Sequence, residues 1–500
     1  MYKIDFNKKE HIHFIGIGGI SMSGLALFLK SRGMEVTGSD RAENEQTEML
    51  VNNGIKVVFK QVAENVTDSI DAFVYTAAIS ADNPELVAAK ATGKPMLTRA
   101  EVLSQVLSSF KEGVCVSGTN GKTTTTSMLS LMLLNAEKDP ALFVGAVLNE
   151  LNGNFRLGNG STCVAEACEY KDAFLSLRPT HEIILNIEED HLDYFKNLEN
   201  IRASFKKYIE LVPENGLVII NGEIDRAEEL TKDASCKVET YGVAFGTFNE
   251  TNDGINDDTN GGTYDRTTNE AGNASSGKAG LTTEVEKYDY AAANISFDDY
   301  GCGVYDFYMQ GKCLGRVHLG VTGRHNVSNS LPAIAMAMKL GVSFESAVNT
   351  LKDFHGAKRR FELKGTLGGI RIYDDYAHNP TEILATLKAA SKCVHDRIIT
   401  IFQPHTYTRT KSQFSGFVES LSHSDVVVLA DIYAAREIDK KEISSLDIAK
   451  ELKRNGKEVY YFPTFDEIEN FLLKFSKAND LLITMGAGDV VKIGESLLGR

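Results

Sequence analysis

Short apolar runs recur along this chain, and segments with the apolar spacing of a helix separate them. The start shows the pattern: His11–Ile15 reads as an apolar strand that leads into glycines, Met22–Lys30 as a helix, and Met34–Asp40 as the next strand. Gly33 marks the end of the predicted helix. A strand, a glycine turn, a helix and a second strand in so short a span predict a βαβ unit.

The alternation continues towards the C-terminus. Later strands are predicted at Ala72–Thr76, Val114–Ser117, Cys163–Ala167, Glu182–Ile187, Leu217–Asn221, Ile370–Tyr373, Ile398–Phe402, Val426–Ala430, Val459–Phe462 and Leu481–Met485, and a helix at Pro380–Ala390. Strands that alternate with helices indicate mostly parallel sheets covered on both faces. At roughly 150 residues per domain, the 500 residues predict an α/β protein of three domains: a Rossmann-like domain over 1–108, a central P-loop domain over 109–330 and a second Rossmann-like domain over 331–500.

The stretch from about 246 to 284 breaks the pattern. It is rich in Asn, Asp, Thr and Gly, and its large apolar residues are few: Phe248, Ile255, Tyr264 and Leu281. Such a composition does not form a core, so we expect a disordered or mobile surface loop. A loop that binds a partner is the alternative.

The most informative segment is Val114–Thr126, in which an apolar strand leads into the sequence Gly-Thr-Asn-Gly-Lys-Thr. Glycines let backbone N–H groups approach phosphate oxygens, and the following helix presents its positive end to the same anion. In this layout Lys122 reaches the β- and γ-phosphates, and Thr123 offers a hydroxyl to Mg²⁺. The motif is a shortened P-loop, because Val116 stands where the full spacing has glycine. A tight glycine turn with an exposed lysine is the alternative.

Acidic residues and a histidine follow two later strands. Glu166 ends one predicted strand, and Asp190 and His191 follow another. The carboxyl ends of parallel strands converge on the ligand in such sheets, so we expect these side chains to meet at a metal ion bound to nucleotide phosphate. A solvated helix start at Glu188–Asp193 is the alternative, since acidic residues favour first helical turns.

The glycines after the first strand form part of a dinucleotide fingerprint. Gly16 and Gly18 are present, but Ser21 replaces the third glycine. Asp40 lies near the place where an acidic residue binds a ribose hydroxyl. The pattern fits a dehydrogenase, a nucleotide-sugar-binding domain or a closely packed turn without a ligand, and it does not decide among them.

Polar residues also end two strands in the last third of the chain. Tyr373–Pro380 and Phe402–Thr410 bring Tyr, His and Arg to strand ends, which indicates a pocket for a small anion such as a carboxylate. A forked guanidinium from Arg359 or Arg360 would stabilise charge on a transferred phosphoryl group. Polar loops and ordinary surface charges are the alternatives.

Composition limits the kinds of partner and the cellular compartment that we expect for this protein. The formal charge of −15, without a basic stripe, argues against nucleic acid. The seven cysteines form no close CxxC pair, which is typical of reduced thiols in a cytoplasmic enzyme. We expect no membrane partner, because the first residues lack an apolar signal core and no window approaches the roughly 18 apolar residues of a membrane span. The expected state is a monomer or weak dimer.

Taken in order, the motifs resemble the Mur ligases of peptidoglycan synthesis. The resembling segments, which extend over nearly the whole chain outside 246–284, are His13–Gly24, Gly118–Thr126, Glu166–Tyr170, Asn186–Asp193, Gly323–Asn329, Arg359–Glu362, Asp374–Pro380 and Gln403–Thr410. The resemblance implies a ligase that uses ATP and Mg²⁺ to join L-alanine to the lactyl carboxylate of UDP-N-acetylmuramate through an acyl phosphate. The three domains would bind, in chain order, the UDP-sugar, ATP and the amino acid, and their closure would assemble the site.

The resemblance also implies roles for individual residues. It assigns ATP contacts to Gly118, Thr119, Asn120, Gly121, Lys122, Thr123, Thr124, Asn326, Asn329, Arg360 and Asp375, metal ligation to Thr123, Glu166 and His191, UDP-sugar contacts to Gly16, Gly18, Gly19 and Asp40, and amino-acid contacts to Tyr376, His405 and Arg409. Catalytic roles fall to Lys122, His191, Arg360 and His378. Either His378 or His405 would accept the proton that the amine must lose.

The chain departs from the family pattern in places. Asn120 stands where relatives often have histidine, and Thr406 where many have arginine, which would leave carboxylate binding more dependent on Arg409. Lys206 lies where other members of the family carry a carbamylated lysine, and the sequence leaves that modification open.

Three other functions fit part of the sequence. The first is a related ligase that attaches a recycled peptide to UDP-N-acetylmuramate, and the second is a dehydrogenase built on Gly16–Ser21. The third is a nucleotide-binding scaffold without catalysis. The joint presence of Lys122, Glu166, His191 and Arg360 argues against a scaffold, which would not need all four.

Overall fold

The computed structural model describes residues 2–76, 79–148, 151, 153–244, 284–298, 300–356, 359–391, 393–435, 437–439 and 441–500. The loop predicted over 246–284 lies outside these ranges except for its last residue. The chain forms two compact units. The first comprises Met1–Asn294, Asp306–Gly315 and Ser328–Thr350, and the second comprises Ile295–Tyr305, Arg316–Val327 and Leu351–Arg500. Among the described helices, none is long and apolar enough to cross a membrane.

The first unit begins with a parallel sheet of the Rossmann kind. Its elements are β1 (His11–Ile15), α1 (Ile20–Ser31), β2 (Glu35–Ser39), α2 (Glu45–Asn52), β3 (Lys56–Val58), a 3-10 turn (Ala63–Asn65), β4 (Ala72–Tyr75), α3 (Pro84–Ala91), β5 (Met96–Thr98) and α4 (Arg99–Ser108). The strand order is β3-β2-β1-β4-β5, and all pairs are parallel. The order reverses beside β1, so the glycine loop after β1 lies at the point where such sheets bind ligands.

The middle of the chain forms a larger sheet. Its elements are β6 (Glu112–Ser117), α5 (Lys122–Asn135), β7 (Ala141–Leu148), β8 (Gly153–Arg156), β9 (Thr162–Glu166), a 3-10 segment (Tyr170–Ser176), β10 (His181–Ile184), α6 (Leu192–Phe195), α7 (Leu198–Ile209), β11 (Leu217–Asn221), α8 (Ala227–Thr231), β12 (Lys237–Val243), β13 (Tyr290–Phe297), β14 (Cys302–Met309) and β15 (Lys312–Thr322). Two helices follow, α9 (Arg324–Lys339) and α10 (Phe344–Lys352).

The described strands of this sheet follow the order β15-β14-β13-β12-β11-β10-β6-β9-β7-β8. β6 lies between β10 and β9 and is parallel to both. The loops after these three central strands therefore emerge at one edge, and they carry the predicted nucleotide and metal residues. Strands β13 to β15 contribute residues to both compact units.

The second unit contains a six-stranded sheet within its described residues. Its elements are β16 (Glu362–Leu367), β17 (Ile370–Asp375), α11 (Pro380–Ala390), β18 (Ile398–Phe402), α12 (Tyr407–Ser412), α13 (Phe414–Leu421), β19 (Val426–Leu429), α14 (Ser445–Arg454), β20 (Glu458–Tyr461), α15 (Phe465–Phe475), β21 (Leu481–Met485) and α16 (Val491–Leu497). The order is β16-β17-β21-β18-β19-β20, and only the β16–β17 pair is antiparallel.

Alternate residues of this sheet face two separate cores. On β18, Ile398 and Phe402 pack with α11, α13 and α14, whereas Ile399 and Ile401 pack with α15 and α16. Because side chains of a strand alternate between its faces, a continuous apolar run is needed when helices cover both sides. Burial on both faces of the sheet therefore explains the continuous apolar runs from which these strands were predicted.

The α/β class and the three-domain description are confirmed. Differences in the predicted strands and helices are confined to their ends, as at β10, which ends at Ile184 rather than Ile187. The domain boundaries stay a prediction; residue 331, where the third was placed, lies inside α9, and the third sheet begins at Glu362. All seven cysteines are free thiols.

Candidate active site

The loop between β6 and α5 contains two glycines in the left-handed region. Gly118 has φ +138°, and Gly121, which precedes α5, has φ +84°. A Cβ on Gly118 would lie 2.9 Å from the Leu185 Cβ, and one on Gly121 would lie 2.4 Å from Oδ1 of Asn329. The loop thus requires glycine at both positions. It leads into the N-terminus of a 14-residue helix without acidic residues in its first turn, where Thr123 and Thr124 lie, and such a terminus binds anions.

The segment after β10 holds this loop in place. Asn186 accepts a hydrogen bond from the Asn120 N–H at 2.7 Å and donates to the Asn120 carbonyl at 3.0 Å. The Asn120 side chain donates to Glu188 at 3.0 Å, and burial raises the pKa of that carboxyl. The Thr119 N–H donates to the Asn186 carbonyl at 3.1 Å. Asn120 therefore anchors the loop through both its backbone and its side chain.

Lys122 folds back over the loop that precedes it. Its Nζ donates to the carbonyl oxygens of Gly118 and Thr119, the latter at 3.0 Å, and forms an ion pair with Glu169 at 3.1 Å. The Lys122 side chain is 18% exposed and that of Glu169 is 3% exposed, so water screens this pair only weakly. The ammonium is held as a fixed positive charge beside the loop.

Two predicted metal ligands are in contact beside the loop. The Thr123 hydroxyl donates to Oε2 of Glu166 at 3.1 Å, and Oε1 of Glu166 accepts from the Gly145 N–H at 2.5 Å. A Cβ on Gly145 would overlap the Glu166 carboxylate at 2.5 Å. The strand β7 therefore leaves room for this carboxylate at the helix N-terminus.

His191 lies with Asp190 and with a second carboxylate, Glu169. Ligand atoms of Glu169, Asp190 and His191 all lie within 4.8 Å of one another. The sequence analysis grouped His191 with Glu166 and missed Glu169, although Glu169 follows the same strand by only three residues. Carboxylate oxygens and a threonine hydroxyl are donors that Mg²⁺ accepts. The donor set on this edge of the sheet therefore fits the ion implied by the resemblance.

Lys206 lies in an exposed ion pair. Its Nζ contacts Asp233, and this hydrogen bond raises the pKa of the lysine. Carbamylation requires the neutral amine, which a raised pKa disfavours.

The glycine loop after β1 is closed by Asp40. Gly16 has φ +83°, and the N–H of Gly18 donates to the Asp40 carboxylate at 2.8 Å. A Cβ on Gly18 would lie 2.6 Å from the Thr47 side chain. Gly19 precedes α1, whose first turn carries no acidic residue. Asp40 thus shapes the turn itself, and its contact with a ligand stays a prediction.

Arg99 was missed by the sequence analysis. It is the first residue of α4, and burial lowers the pKa of its guanidinium, while Cys168 and Glu166 act in the opposite direction. The helix α4, which ends the first predicted domain, thus brings a positive group near the Glu166 carboxylate. Arg99 lies between Thr98 and Glu101, which form a capping box at the start of α4. The local sequence is therefore typical of a helix start and does not indicate a second role for Arg99.

The arginine pair before β16 divides into two environments. Arg359 donates to Asp374 at 3.0 Å and to the carbonyls of Gly486 and Gly488 at 2.6 and 2.9 Å. Arg360 is 37% exposed, and its nearest carboxylate oxygen, on Glu382, is 4.0 Å away. Arg359 therefore fixes the loop, whereas the Arg360 guanidinium stays partly exposed, and its contact with a phosphate stays a prediction.

The carboxylates at the end of β17 are buried. Asp375 accepts hydrogen bonds from the N–H groups of Phe361 and Ala377 at 2.8 and 2.7 Å. Burial raises the pKa of Asp375 to about 6, although Arg360 and these hydrogen bonds act to lower it. Asp375 thus ties the turn after Arg360 to the sheet, and its predicted contact with the ATP ribose stays a prediction.

Two histidines and an arginine lie together at the ends of β17 and β18. The rings of His378 and His405 are 6.1 Å apart, and Arg409 donates to Nδ1 of His405 at 3.1 Å. Tyr376 packs edge-on against His378 at 5.5 Å. Burial lowers the pKa of both imidazoles, and the nearby guanidinium adds to this effect. The cluster therefore combines a guanidinium with two imidazoles whose neutral forms burial favours, and its contact with a carboxylate stays a prediction.

The two asparagines of the Gly323–Asn329 segment differ in position. Asn329 lies against the phosphate loop, because its side chain closely approaches Gly121 and its carbonyl accepts from Thr125 at 3.3 Å. Asn326 donates to the Thr322 carbonyl at 2.8 Å at the start of α9. Their predicted contacts with adenine stay predictions.

The glycine loop, its lysine and the helix N-terminus define the class, which is that of P-loop nucleotide-binding proteins. Three family models match the chain: Mur ligase family, catalytic domain, over 11–111; Mur ligase middle domain over 116–275; and Mur ligase, glutamate ligase domain, over 359–488. The chain belongs to the Mur ligase family, as its full-length similarity to curated relatives also shows.

Individual relatives are similar over their whole length. The UDP-N-acetylmuramate–L-alanine ligase of Agathobacter rectalis is 49% identical over 500 residues, which is 100% of both chains. The crystal structure of UDP-N-acetylmuramate–alanine ligase from Thermotoga maritima has a TM-score of 0.75 at 29% identity and covers 98% of both chains. A murein peptide ligase from Psychrobacter arcticus has a TM-score of 0.67 at 25% identity and covers 98% of both chains.

Proposed function

We propose that this protein is an ATP-dependent ligase that joins L-alanine to the lactyl carboxylate of UDP-N-acetylmuramate in peptidoglycan precursor synthesis. The observation that carries the proposal is the phosphate loop, in which Lys122 and the Thr123–Glu166 pair flank the N-terminus of α5. The names of full-length relatives at 49% identity support the choice of substrates. The protein acts in the cytoplasm as a monomer or weak dimer.

The first step transfers a phosphoryl group. A lactyl carboxylate oxygen attacks the γ-phosphorus of ATP, the bond to the bridging oxygen breaks, and ADP leaves. The transferred group spreads negative charge over its oxygens, so fixed positive groups lower the barrier. Lys122 and the N–H groups of Gly118–Thr123 bind the triphosphate, and Arg360 supplies a guanidinium to the γ-phosphate.

Residues beside the phosphate loop would hold a divalent cation for this step. Thr123, Glu166 and His191 would hold Mg²⁺, and Glu169 and Asp190 lie beside them. When bound, the ion neutralises charge on the phosphate oxygens. Glu169 also holds the Lys122 ammonium at the loop.

The second step forms the amide. The neutral amine of L-alanine attacks the acyl carbon, and the bond from that carbon to the phosphate oxygen breaks. Arg409 binds the carboxylate of the amino acid, as a guanidinium fork suits that geometry, and Tyr376 and His405 line the same pocket.

A second candidate is the ligation of a recycled peptide. The similarity to a murein peptide ligase favours it, although that relative is only 25% identical. ADP release separates the two functions when UDP-N-acetylmuramate is supplied with L-alanine, other amino acids or a tripeptide. We expect release that requires the sugar nucleotide and is fastest with L-alanine. Faster turnover with the tripeptide would assign the peptide reaction, and ADP release that ignores the sugar nucleotide would reject both.

A further inference from the structure

A carboxylate in the first turn of α11 lies between two proposed functional groups. Oε2 of Glu382 is 3.2 Å from Nδ1 of His378 and accepts from the His378 backbone N–H at 3.1 Å. Oε1 lies 4.0 Å from the guanidinium of Arg360. Glu382 is about one-fifth exposed, so the contact with His378 is partly shielded. No sequence motif drew attention to this residue.

The partners of His378 fix where its proton resides. Nδ1 faces the Tyr376 carbonyl at 3.0 Å and the Glu382 carboxylate at 3.2 Å, and both are acceptors only. Nδ1 must therefore carry the hydrogen. In the neutral ring, Nε2 then has the free lone pair that a general base needs.

His405 has the opposite tautomer. Its Nδ1 contacts the Arg409 guanidinium at 3.1 Å, and a guanidinium only donates. The Nδ1 lone pair is thus occupied and the hydrogen lies on Nε2, which can only donate. Of the two histidines that the sequence left as candidates, His378 is the one whose basic nitrogen has no hydrogen-bond partner among the described residues.

We propose that His378 is the general base of the amide-forming step and that Glu382 is a positioning residue that holds it in the Nδ1–H tautomer. The arrangement is similar to that of catalytic triads, in which a carboxylate orients the catalytic imidazole. The inference rests on the proposed function, since it needs an amino-acid substrate to deprotonate.

The protons balance across the step. Nε2 of His378 takes one proton from the ammonium of the amino acid, and the imidazolium later releases it to solvent. The nitrogen lone pair forms the C–N bond, and the C–O bond to phosphate breaks with its electron pair on oxygen. The second proton lost by nitrogen goes to the departing phosphate, which leaves as hydrogen phosphate.

The charged groups around His378 determine how its pKa should change when the charge of Glu382 is removed. Burial lowers its pKa, Glu382 raises it, and Arg409 and Arg360 lower it; the His405 ring is also adjacent. Removing the Glu382 charge should therefore lower the pKa of His378 further and weaken it as a base.

Glu382 also occupies a common helix-capping position, which supplies a matched control. It is the third residue of α11, and its N–H donates to the N-cap Asn379 at 2.9 Å. Glu467 holds the same position in α15, with Thr464 as N-cap, and lies in an exposed first turn. Glu467→Gln thus reproduces the loss of a carboxylate from the first turn of a helix, at a position where that carboxylate does not contact a histidine among the described residues.

The test compares Glu382→Gln, His378→Asn and Glu467→Gln by the pH profile of kcat with L-alanine. We expect kcat to fall about 10- to 100-fold in Glu382→Gln and by at least about 100-fold in His378→Asn, in line with general-base contributions. The acid limb of Glu382→Gln should move to lower pH. Glu467→Gln should match wild type, and thermal melting should show that every variant is folded.

A second measurement isolates the chemical step. Hydroxylamine is a neutral nucleophile near pH 7, so it captures the acyl phosphate without a base. Hydroxamate formation should stay within about two-fold of wild type in Glu382→Gln and His378→Asn. Loss of hydroxamate in Glu382→Gln would place its role at phosphoryl transfer through Arg360 and overturn the inference.

The remaining outcomes are also decisive. A wild-type kcat and pH profile in Glu382→Gln would overturn the positioning role while leaving the ligase function intact. Absence of hydroxamate and of ligation in the wild-type protein would instead refute the proposed function.

Discussion

Gly121 is the position where one added carbon should impair nucleotide binding. Its φ of +84° is unfavourable for any residue with a Cβ. The new atom would also lie 2.4 Å from Oδ1 and 3.0 Å from Cγ of Asn329. Asn329 must move in a Gly121→Ala variant, because real Cβ atoms do not approach so closely, and the loop must shift with it.

Gly33 provides the matched control for the cost of the backbone conformation. Its φ is +86°, and a Cβ there would meet no atom within 4 Å. Gly33→Ala should therefore lose about 1–2 kcal/mol of unfolding free energy through backbone strain alone. Gly121→Ala should lose this amount and, in addition, weaken ATP binding by at least about 10-fold, or about 1.4 kcal/mol.

Two assays separate these effects. Denaturant unfolding measures stability, and calorimetric titration with ATP measures affinity, both on the full chain. Gly33→Ala should bind ATP as wild type does. Wild-type ATP affinity in Gly121→Ala would refute the assignment of this loop, and equal losses of affinity in the two variants would show that strain rather than the contact with Asn329 is responsible.

Three further predictions concern other groups. Lys122→Ala should abolish ligation because the charge beside the loop is removed, while circular dichroism should show a folded chain; wild-type-like turnover would contradict the proposed triphosphate site. Arg409→Ala should raise the KM for alanine by at least about 10-fold, given the strength of charge-assisted pairs, with little change for ATP, whereas the exposed Arg454→Ala should change neither; an unchanged alanine KM in Arg409→Ala would count against its role. Glu182 lies buried on β10, and burial raises its pKa well above the usual 4.5, although the Tyr208 side chain acts to lower it. Its protonated form is favoured in the folded state, so wild-type stability should fall by about 1.4 kcal/mol per pH unit above pH 4.5 until the group ionises. The stability of Glu182→Gln relative to wild type should accordingly grow as the pH rises above 4.5, and an equal pH dependence of stability in the two proteins would refute this.

The sequence predicted the elements well because apolar runs and glycine turns are local signals. The strand at Ile398–Phe402 was predicted with its observed bounds, since burial on both faces demands an unbroken apolar run. The phosphate loop was equally clear, because Gly118 and Gly121 are required by backbone conformation and close contacts.

Groupings between distant residues were harder to predict. Strand order places Glu166 and His191 at one edge of the sheet, but not which carboxylate lies beside the imidazole. Glu169, in the loop that follows β9, takes that place. No local pattern specifies the path of such a loop.

The same limit applies to residues that look equivalent in sequence. Arg359 and Arg360 are adjacent, and the partners that occupy Arg359, which are Asp374 and the carbonyls of Gly486 and Gly488, come from distant parts of the chain. The tautomers of His378 and His405 likewise depend on partners supplied by the fold, Glu382 and Arg409.

The central claim is that ATP activates the lactyl carboxylate by phosphorylating it. UDP-N-acetylmuramate labelled with ¹⁸O in that carboxylate tests this directly, with mass spectrometry of the phosphate released during turnover with ATP and L-alanine. One labelled oxygen should appear in each inorganic phosphate, because the carboxylate oxygen that attacks phosphorus leaves with it. Amide product accompanied by unlabelled phosphate would contradict the acyl phosphate mechanism.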